Sequence, residues 1–267
     1  MGVTIKGLEF SYANNLVLDN IDISFKEGKV TGIIGNGKTT LLGLISGSLV
    51  PKKGKIVMGD IVISPRKKIT NITEHNKKCV LMAQFPDEEF FLDTVEKELS
   101  VIVEKVDKEI DLVKLLDMVD LDASYLSRDP FSLSNGEIRK LGLAASLIYN
   151  PDIILLDEPS PFFDVKKLNT LLTTLKVRYK KTIIIASNDI DFINEISDEV
   201  VVLKENKVIF SKDKKKLFKD VKFLTDNNVP VPNIMKFVNY SLDKYDVRLG
   251  YRYEINDLVK DILRKLG

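Results

Sequence analysis

PFSLSNGEIRKLGLAASLIYNPDIILLDEPSPFFD, residues 130–164, is the stretch that decides how this chain is built. Ser134 to Glu137 reads S-x-x-E, a capping box whose hydroxyl and carboxylate satisfy amides that a helix's first turn would otherwise leave bare. Ile138, Leu141, Ala145 and Ile148 recur at helical spacing, so one stripe of that helix faces a core. Asn150-Pro151 breaks the helix. Ile153 to Leu156 is then an unalternated apolar run, as expected of a strand covered on both faces in a parallel sheet. Burying each such side chain is worth roughly 1.5–3 kcal/mol, which holds the strand rigidly. Asp157 and Glu158 therefore emerge at the strand's carboxyl end, where open α/β sheets place their ligands.

In isolation, Asp157-Glu158-Pro159 reads equally well as a solvated turn. The preceding LSNGE, residues 133–137, and the following Asp164 change the weighting. This ordered set resembles the ATP-binding cassette (ABC) ATPases, with a signature helix, a Walker B strand and a D-loop. The resemblance runs from Val3 to Leu266. It implies an α/β ABC ATPase fold: a P-loop NTPase parallel-sheet core with an antiparallel β edge, an inserted helical subdomain and a carboxyl-terminal helical extension. The division it implies is residues 1–212 for the ATPase domain, with the helical subdomain at about 88–148, and 213–267 for an extension that joins two ATPase subunits.

Composition fits that reading. The 267 residues can bury a substantial core. Forty basic and 39 acidic residues give a net charge of +1, so no global field steers the chain to nucleic acid. A single cysteine, Cys79, excludes an internal disulfide and fits a reducing compartment. No apolar run approaches the roughly 18 residues of a membrane span, and the amino terminus lacks a signal-peptide core, so a soluble, cytosolic protein is expected.

Val3 to Phe10 and Leu16 to Phe25 alternate in hydropathy about an Ala13-Asn14-Asn15 turn, a hairpin-like opening. Val30 to Gly35 is a buried strand, and Lys38 onward is helical, with Leu41, Leu42 and Ile45 on one face. Between them lies Gly35-Asn36-Gly37-Lys38-Thr39-Thr40, and Gly32 to Thr39 formally satisfies G-x-x-x-x-G-K-T, the phosphate-cradling loop. The match is partly accidental. In the family about three further loop residues precede the final G-K-T, and their absence removes roughly 10 Å of the arch that wraps the β-phosphate. Either the loop is genuinely short, which would cripple nucleotide affinity, or the written sequence omits residues between Gly35 and Asn36; the intact flanks favour omission.

The other expectations follow in chain order. Pro51 to Ile63 reads as a hairpin around Gly59-Asp60. Arg66 to Lys78 is loop-like, with His75 a surface residue. Cys79 to Phe85 is a strand, and Glu96 to Leu121 is helical. Lys181 to Ser187 is a second buried parallel strand, and Glu199 to Phe210 is a hairpin around Asn206. From Ser211 a lysine-rich surface linker leads to two amphipathic helices, one carrying Ile234, Phe237, Val238 and Leu242, the other Leu258, Val259, Ile262 and Leu263.

The resemblance assigns the site residue by residue. It makes Tyr12 the adenine platform. Gly35, Asn36, Gly37, Lys38, Thr39 and Thr40 become the ATP-binding loop, with Lys38 for the β- and γ-phosphates and Thr40 for the α-phosphate. Magnesium falls to Thr39, Asp157 and Gln84. Glu158 polarises the attacking water, and Gln84 senses the γ-phosphate. Ser134, Asn135, Gly136 and Glu137 cap the partner's nucleotide in trans, and Asp164 signals across the dimer. Asn135 departs from the usual glycine. Asn188 stands where the switch histidine belongs, keeping an N–H donor without a titratable ring, so slow hydrolysis is expected.

QFP, residues 84–86, with the aromatic turn and TVEKEL that follow, is similar to the ATPases of energy-coupling factor (ECF) transporters, which take up vitamins and metal ions. Phe85, Phe90, Phe91 and Leu92 would line the groove for a coupling helix; the plainer reading makes them subdomain core. This resemblance implies an ATPase at the cytoplasmic face of the membrane. Its partners would be a second ATPase subunit, identical or related, a transmembrane coupling subunit and, indirectly, a substrate-capture subunit. Two alternatives stay open: an ABC ATPase not coupled to transport, and a non-catalytic regulatory subunit.

Overall fold

A computed structural model describes residues 1–67, 72–82, 90–106, 109–161, 163–245, 247–250 and 255–266. β1 (Val3–Tyr12) and β2 (Asn15–Phe25) pair antiparallel about Ala13, which takes a positive φ of 48° in the tight turn. β3 (Val30–Gly35) passes into α1 (Lys38–Ile45), and β4 (Lys53–Met58) turns at Gly59-Asp60 into β5 (Ile61–Ile63). Strands β2-β1-β4-β5 form one antiparallel sheet in that order.

The following elements are α2 (Ile72–Asn76), β6 (Cys79–Met82), α3 (Val95–Val106), α4 (Leu112–Met118), α5 (Asn135–Ile148), β7 (Ile153–Asp157), α6 (Val165–Val177), β8 (Thr182–Ala186), α7 (Ile190–Ile196), β9 (Glu199–Lys204) and β10 (Lys207–Asp213). From β6 to β9 helices separate successive strands, as parallel connections require. The second sheet has the order β10-β9-β3-β8-β7-β6, parallel throughout except where β10 folds back on β9. Ile153 and Leu155 of β7 join a core shared with α1 and the antiparallel sheet, whereas Ile154 and Leu156 join one shared with the helices of the opposite face. That is why β7 and β8 read as continuous apolar runs: both faces are covered.

The tail contains α8 (Lys214–Lys219), α9 (Val221–Asp226), α10 (Asn233–Tyr245) and α11 (Ile255–Leu266). Both expected amphipathic helices are present. Met235, Val238 and Leu258 are buried, and Asn233 is tied to α7 through its backbone N–H on Asp191 Oδ1 at 2.7 Å. Phe237, Leu242, Val259 and Leu263 remain exposed.

Three expectations are corrected. Residues 66–78 contain the short helix α2, and His75 is buried, with Nε2 2.7 Å from the Ser46 carbonyl at the end of α1. Burial pushes its imidazole below the ordinary value, against that hydrogen bond. The helical stretch 96–121 is two helices, because Asp111 caps a new one by accepting the Lys114 N–H at 3.1 Å. The lysine-rich segment is no linker: β10 continues to Asp213, and α8 buries Leu217 and Phe218 completely. Lys214 is half-buried, its ammonium donating to the Asn194 carbonyl at 2.7 Å, and desolvation pulls its pKa down to about 8. A smaller difference is that α1 is buried all round from Thr40 to Ile45.

Candidate functional site at the carboxyl edge of the parallel sheet

Three neighbouring strands, β3, β8 and β7, deliver polar residues from their carboxyl ends to one place. Asp157 is the last residue of β7 and pairs with Ala186 of β8. Glu158 follows with φ of 48°, and its N–H donates to the Ala186 carbonyl at 2.8 Å. A glutamate in the left-handed region is held there at a cost of roughly 1–2 kcal/mol, the kind of local strain that collects at functional sites. The turn ends the strand and frees the Glu158 side chain.

From β3 the chain reaches α1 through Asn36 and Gly37. Both glycines are required. Gly35 has φ of 101°, and a β-carbon there would lie 1.9 Å from the Leu203 carbonyl oxygen; Gly37, the α1 N-cap, has φ of 88°. No side chain caps α1 and its first turn has no acidic residue, which leaves a helix amino terminus open to an anion.

Contacts tie these pieces together. Lys38 Nζ lies 3.2 Å from Glu158 Oε1 and donates to Asn188 Oδ1 at 2.8 Å. Its side chain is 11% exposed and that of Glu158 19%, so the pair is sheltered but reachable. Thr39 Oγ1 donates to Asp157 Oδ1 at 3.2 Å. Thr40 Oγ1 is 3.5 Å from the Tyr12 hydroxyl, and Tyr12 is half exposed and packs edge-on against Phe10 at 4.9 Å between ring centroids. Burial pushes the Asp157 carboxyl upward, helped by the charge of Glu158 and opposed by the Thr39 hydrogen bond and the Lys38 and Arg139 charges. A carboxyl so placed beside a hydroxyl is a hard-oxygen pair that added positive charge would favour, which suits a small divalent cation.

The structure thus brings Tyr12, Lys38, Thr39, Thr40, Asp157, Glu158 and Asn188 together, with Gly35, Asn36 and Gly37 in the adjoining turn. Gln84 and Phe85 lie outside the described residues. Ser134 caps α5 by accepting the Glu137 N–H at 3.4 Å, while Glu137 Oε2 accepts the Ser134 N–H at 2.7 Å. Asn135 and Gly136 form the first turn. Glu137 also accepts from the Tyr125 hydroxyl, and these hydrogen bonds lower its carboxyl to about 2. Asp164 caps α6, accepting the Lys167 N–H at 2.9 Å. Among the described residues no hydrogen bond or ion pair joins Asp164 or residues 134–137 to the Lys38–Glu158 cluster. Phe90 is buried, Leu92 is half-buried and Phe91 is 80% exposed; Glu98 anchors this turn by accepting the Phe91 and Leu92 N–H groups.

Two residues of the site carried no expectation. Ser187 Oγ donates to Glu158 Oε2 at 3.0 Å, and Ser160 Oγ lies 3.5 Å from Ser187 Oγ. The available signal was a hydroxyl ending the apolar run of β8. A cavity of about 530 Å³ also opens beside the loop, lined by Gly35, Asn36, Asn188 and the β9–β10 turn. A separate apolar groove lies between α7 and the tail, lined by Ile234, Phe237, Leu258 and Val259.

The family model described as ABC transporter matches residues 18–161. The energy-coupling factor transporter ATP-binding protein EcfA2 of Staphylococcus aureus (strain USA300) is 31% identical over 252 residues, covering 90% of this chain and 86% of that protein. Among solved structures, the dimeric ATP-binding cassette MJ0796 in a post-hydrolysis state bound to ADP and phosphate superposes with a TM-score of 0.69 at 22% identity, covering 79% of this chain and 98% of that one. The cbiO1 protein of Clostridium perfringens, part of the ABC transporter complex cbiONQ, gives 0.68 at 24% identity, covering 89% and 98%. These two similarities speak to the fold.

Proposed function

The chain belongs to the ABC transporter family and, within it, to the ATP-binding proteins of energy-coupling factor transporters, and on that premise we propose that it binds and hydrolyses ATP to energise a vitamin or metal-ion uptake transporter. One observation carries the reading: Lys38, at the head of α1, meets Glu158, at the tip of β7, within 3.2 Å.

Each residue takes a role from its position. An incoming triphosphate competes with Glu158 and Asn188 for Lys38, whose ammonium moves to the β- and γ-phosphates. The α1 amides and Thr40 receive the phosphate oxygens nearer the ribose, and Tyr12 offers its face to adenine. Thr39 and Asp157 would hold magnesium together with Gln84; the ion supplies charge neutralisation for the phosphates. Glu158, released from Lys38, takes hydrogen-bonding hold of the attacking water, and Asn188 supplies a donor toward the γ-phosphate. In-line phosphoryl transfer needs positioning and charge stabilisation above all, which suits these residue types.

Residues 134–137 and Asp164 act at the partner's nucleotide, which accords with their lying outside the hydrogen-bonded cluster. The division into an ATPase domain (1–212) with a helical subdomain (about 88–148) and a dimerising extension (213–267) belongs to the same proposal. So do a second ATPase subunit, a transmembrane coupling subunit contacted near Phe91, and a place at the cytoplasmic face of the membrane. Among the described residues no helix is long and apolar enough to cross a membrane, which fits a peripheral subunit.

The test is equilibrium titration of a fluorescent ATP analogue into the purified chain. Saturable binding weakened about tenfold or more by Lys38→Ala is expected, since a charge-assisted phosphate contact is lost. Equal binding by both proteins, or by neither, overturns the proposal; the second result assigns a regulatory subunit.

A further inference from the structure

We propose that Ser187 is a positioning residue that fixes which oxygen of Glu158 faces the attacking water; the inference rests on the hydrolytic role given to Glu158 above. Ser187 follows β8 and is completely buried. Its backbone N–H donates to the Ile33 carbonyl of β3 at 3.1 Å, which locks the residue to the strand that leads into the phosphate loop. Its Oγ accepts the Asp189 N–H at 3.1 Å. A carboxylate oxygen can only accept, so the hydroxyl proton goes to Glu158 Oε2, 3.0 Å away, and Ser160 Oγ, 3.5 Å off, is left to donate to Ser187.

The two Glu158 oxygens are therefore not equivalent. Oε2 is held by Ser187 Oγ and, at 3.2 Å, by the Asn188 backbone N–H. Oε1 faces Lys38 at 3.2 Å. The Oε2 partners belong to the β8 end and do not depend on nucleotide; the Oε1 partner is the lysine that a phosphate draws away. When Lys38 leaves, Oε2 stays occupied and Oε1 becomes the free acceptor. Ser187 thus keeps the carboxylate from rotating at the moment its other oxygen is released, the kind of preorganisation that acts on the rate and not on substrate affinity.

Steady-state hydrolysis by the ATPase complex purified with this chain tests the inference. Glu158→Gln first defines the share of turnover supplied by this site. Ser187→Ala is expected to remove about nine-tenths of that share, a tenfold effect, with the KM for ATP and the analogue affinity within about twofold of the parent. Ser187→Thr, which retains the hydroxyl, restores the rate, and Ser187→Ala costs nothing further once Glu158→Gln is present. Should the alanine protein fold poorly, Ser187→Cys keeps the volume with a weak donor and is expected to lower kcat in the same way. Full kcat in the alanine or cysteine variant, or parallel loss of kcat and analogue affinity, overturns the inference. Failure of Glu158→Gln to lower turnover instead strikes the role of Glu158 itself.

Discussion

Asn188 occupies the most consequential position in the site, because its amide oxygen holds Lys38 at 2.8 Å while its backbone holds Glu158 at 3.2 Å. An amide can donate and accept but cannot change charge, whereas an imidazole there could donate to a γ-phosphate as a cation. Asn188→His is therefore expected to raise the complex's hydrolysis rate several-fold, read as phosphate release at saturating ATP. An unchanged rate would remove the case for a slow site in this chain. The positions of the acidic tip, the lysine and the asparagine were legible in the sequence because each ends an apolar run or opens a helix, while their roles came from the family resemblance. Ser187 was not, since its significance lies in a carboxylate 29 positions earlier in the chain that only the β7–β8 pairing brings near.

At the scale of elements, the handover from β3 to α1 is the departure that matters. The two-residue connection retains the helix amino terminus but leaves few backbone amides to surround a phosphate. Inserting Gly-Ser-Gly between Gly35 and Asn36 is expected to tighten analogue binding by about tenfold or more, because each added N–H to an anionic oxygen is a charge-assisted hydrogen bond. Titration of the insertion variant beside the parent decides it, and unchanged affinity would mean that the short turn already supplies the donors needed. Strand and helix could both be read from periodicity. The Ser134–Glu137 capping box was legible too, being a local pattern whose chemistry acts within one turn. The break between α3 and α4 was less so, because Asp111 declares itself as a cap only through the amide it receives.

The whole molecule joins a covered parallel sheet to a tail with an uncovered apolar side. Leu263 is 65% exposed, and Phe237, Leu242 and Val259 add to the same exposed complement. If these faces join two ATPase subunits, Leu263→Asp shifts the complex toward dissociated chains in sedimentation velocity while leaving the thermal unfolding of the chain within a few degrees of the parent. An unshifted distribution would place the contact elsewhere. The sheet could be read from the sequence because a doubly covered strand has no polar face to disguise it. The burial of His75, Leu217 and Phe218 could not, since charged neighbours in sequence hid what distant elements cover. The strand order also bears on how the protein is made. β3, near residue 30, lies between β8 and β9, which the ribosome delivers roughly 150 residues afterwards, on the order of ten seconds of synthesis. Through that interval Val30, Ile33 and Ile34 wait without either lateral neighbour, so the nascent chain's principal hazard is misassociation of its own future centre.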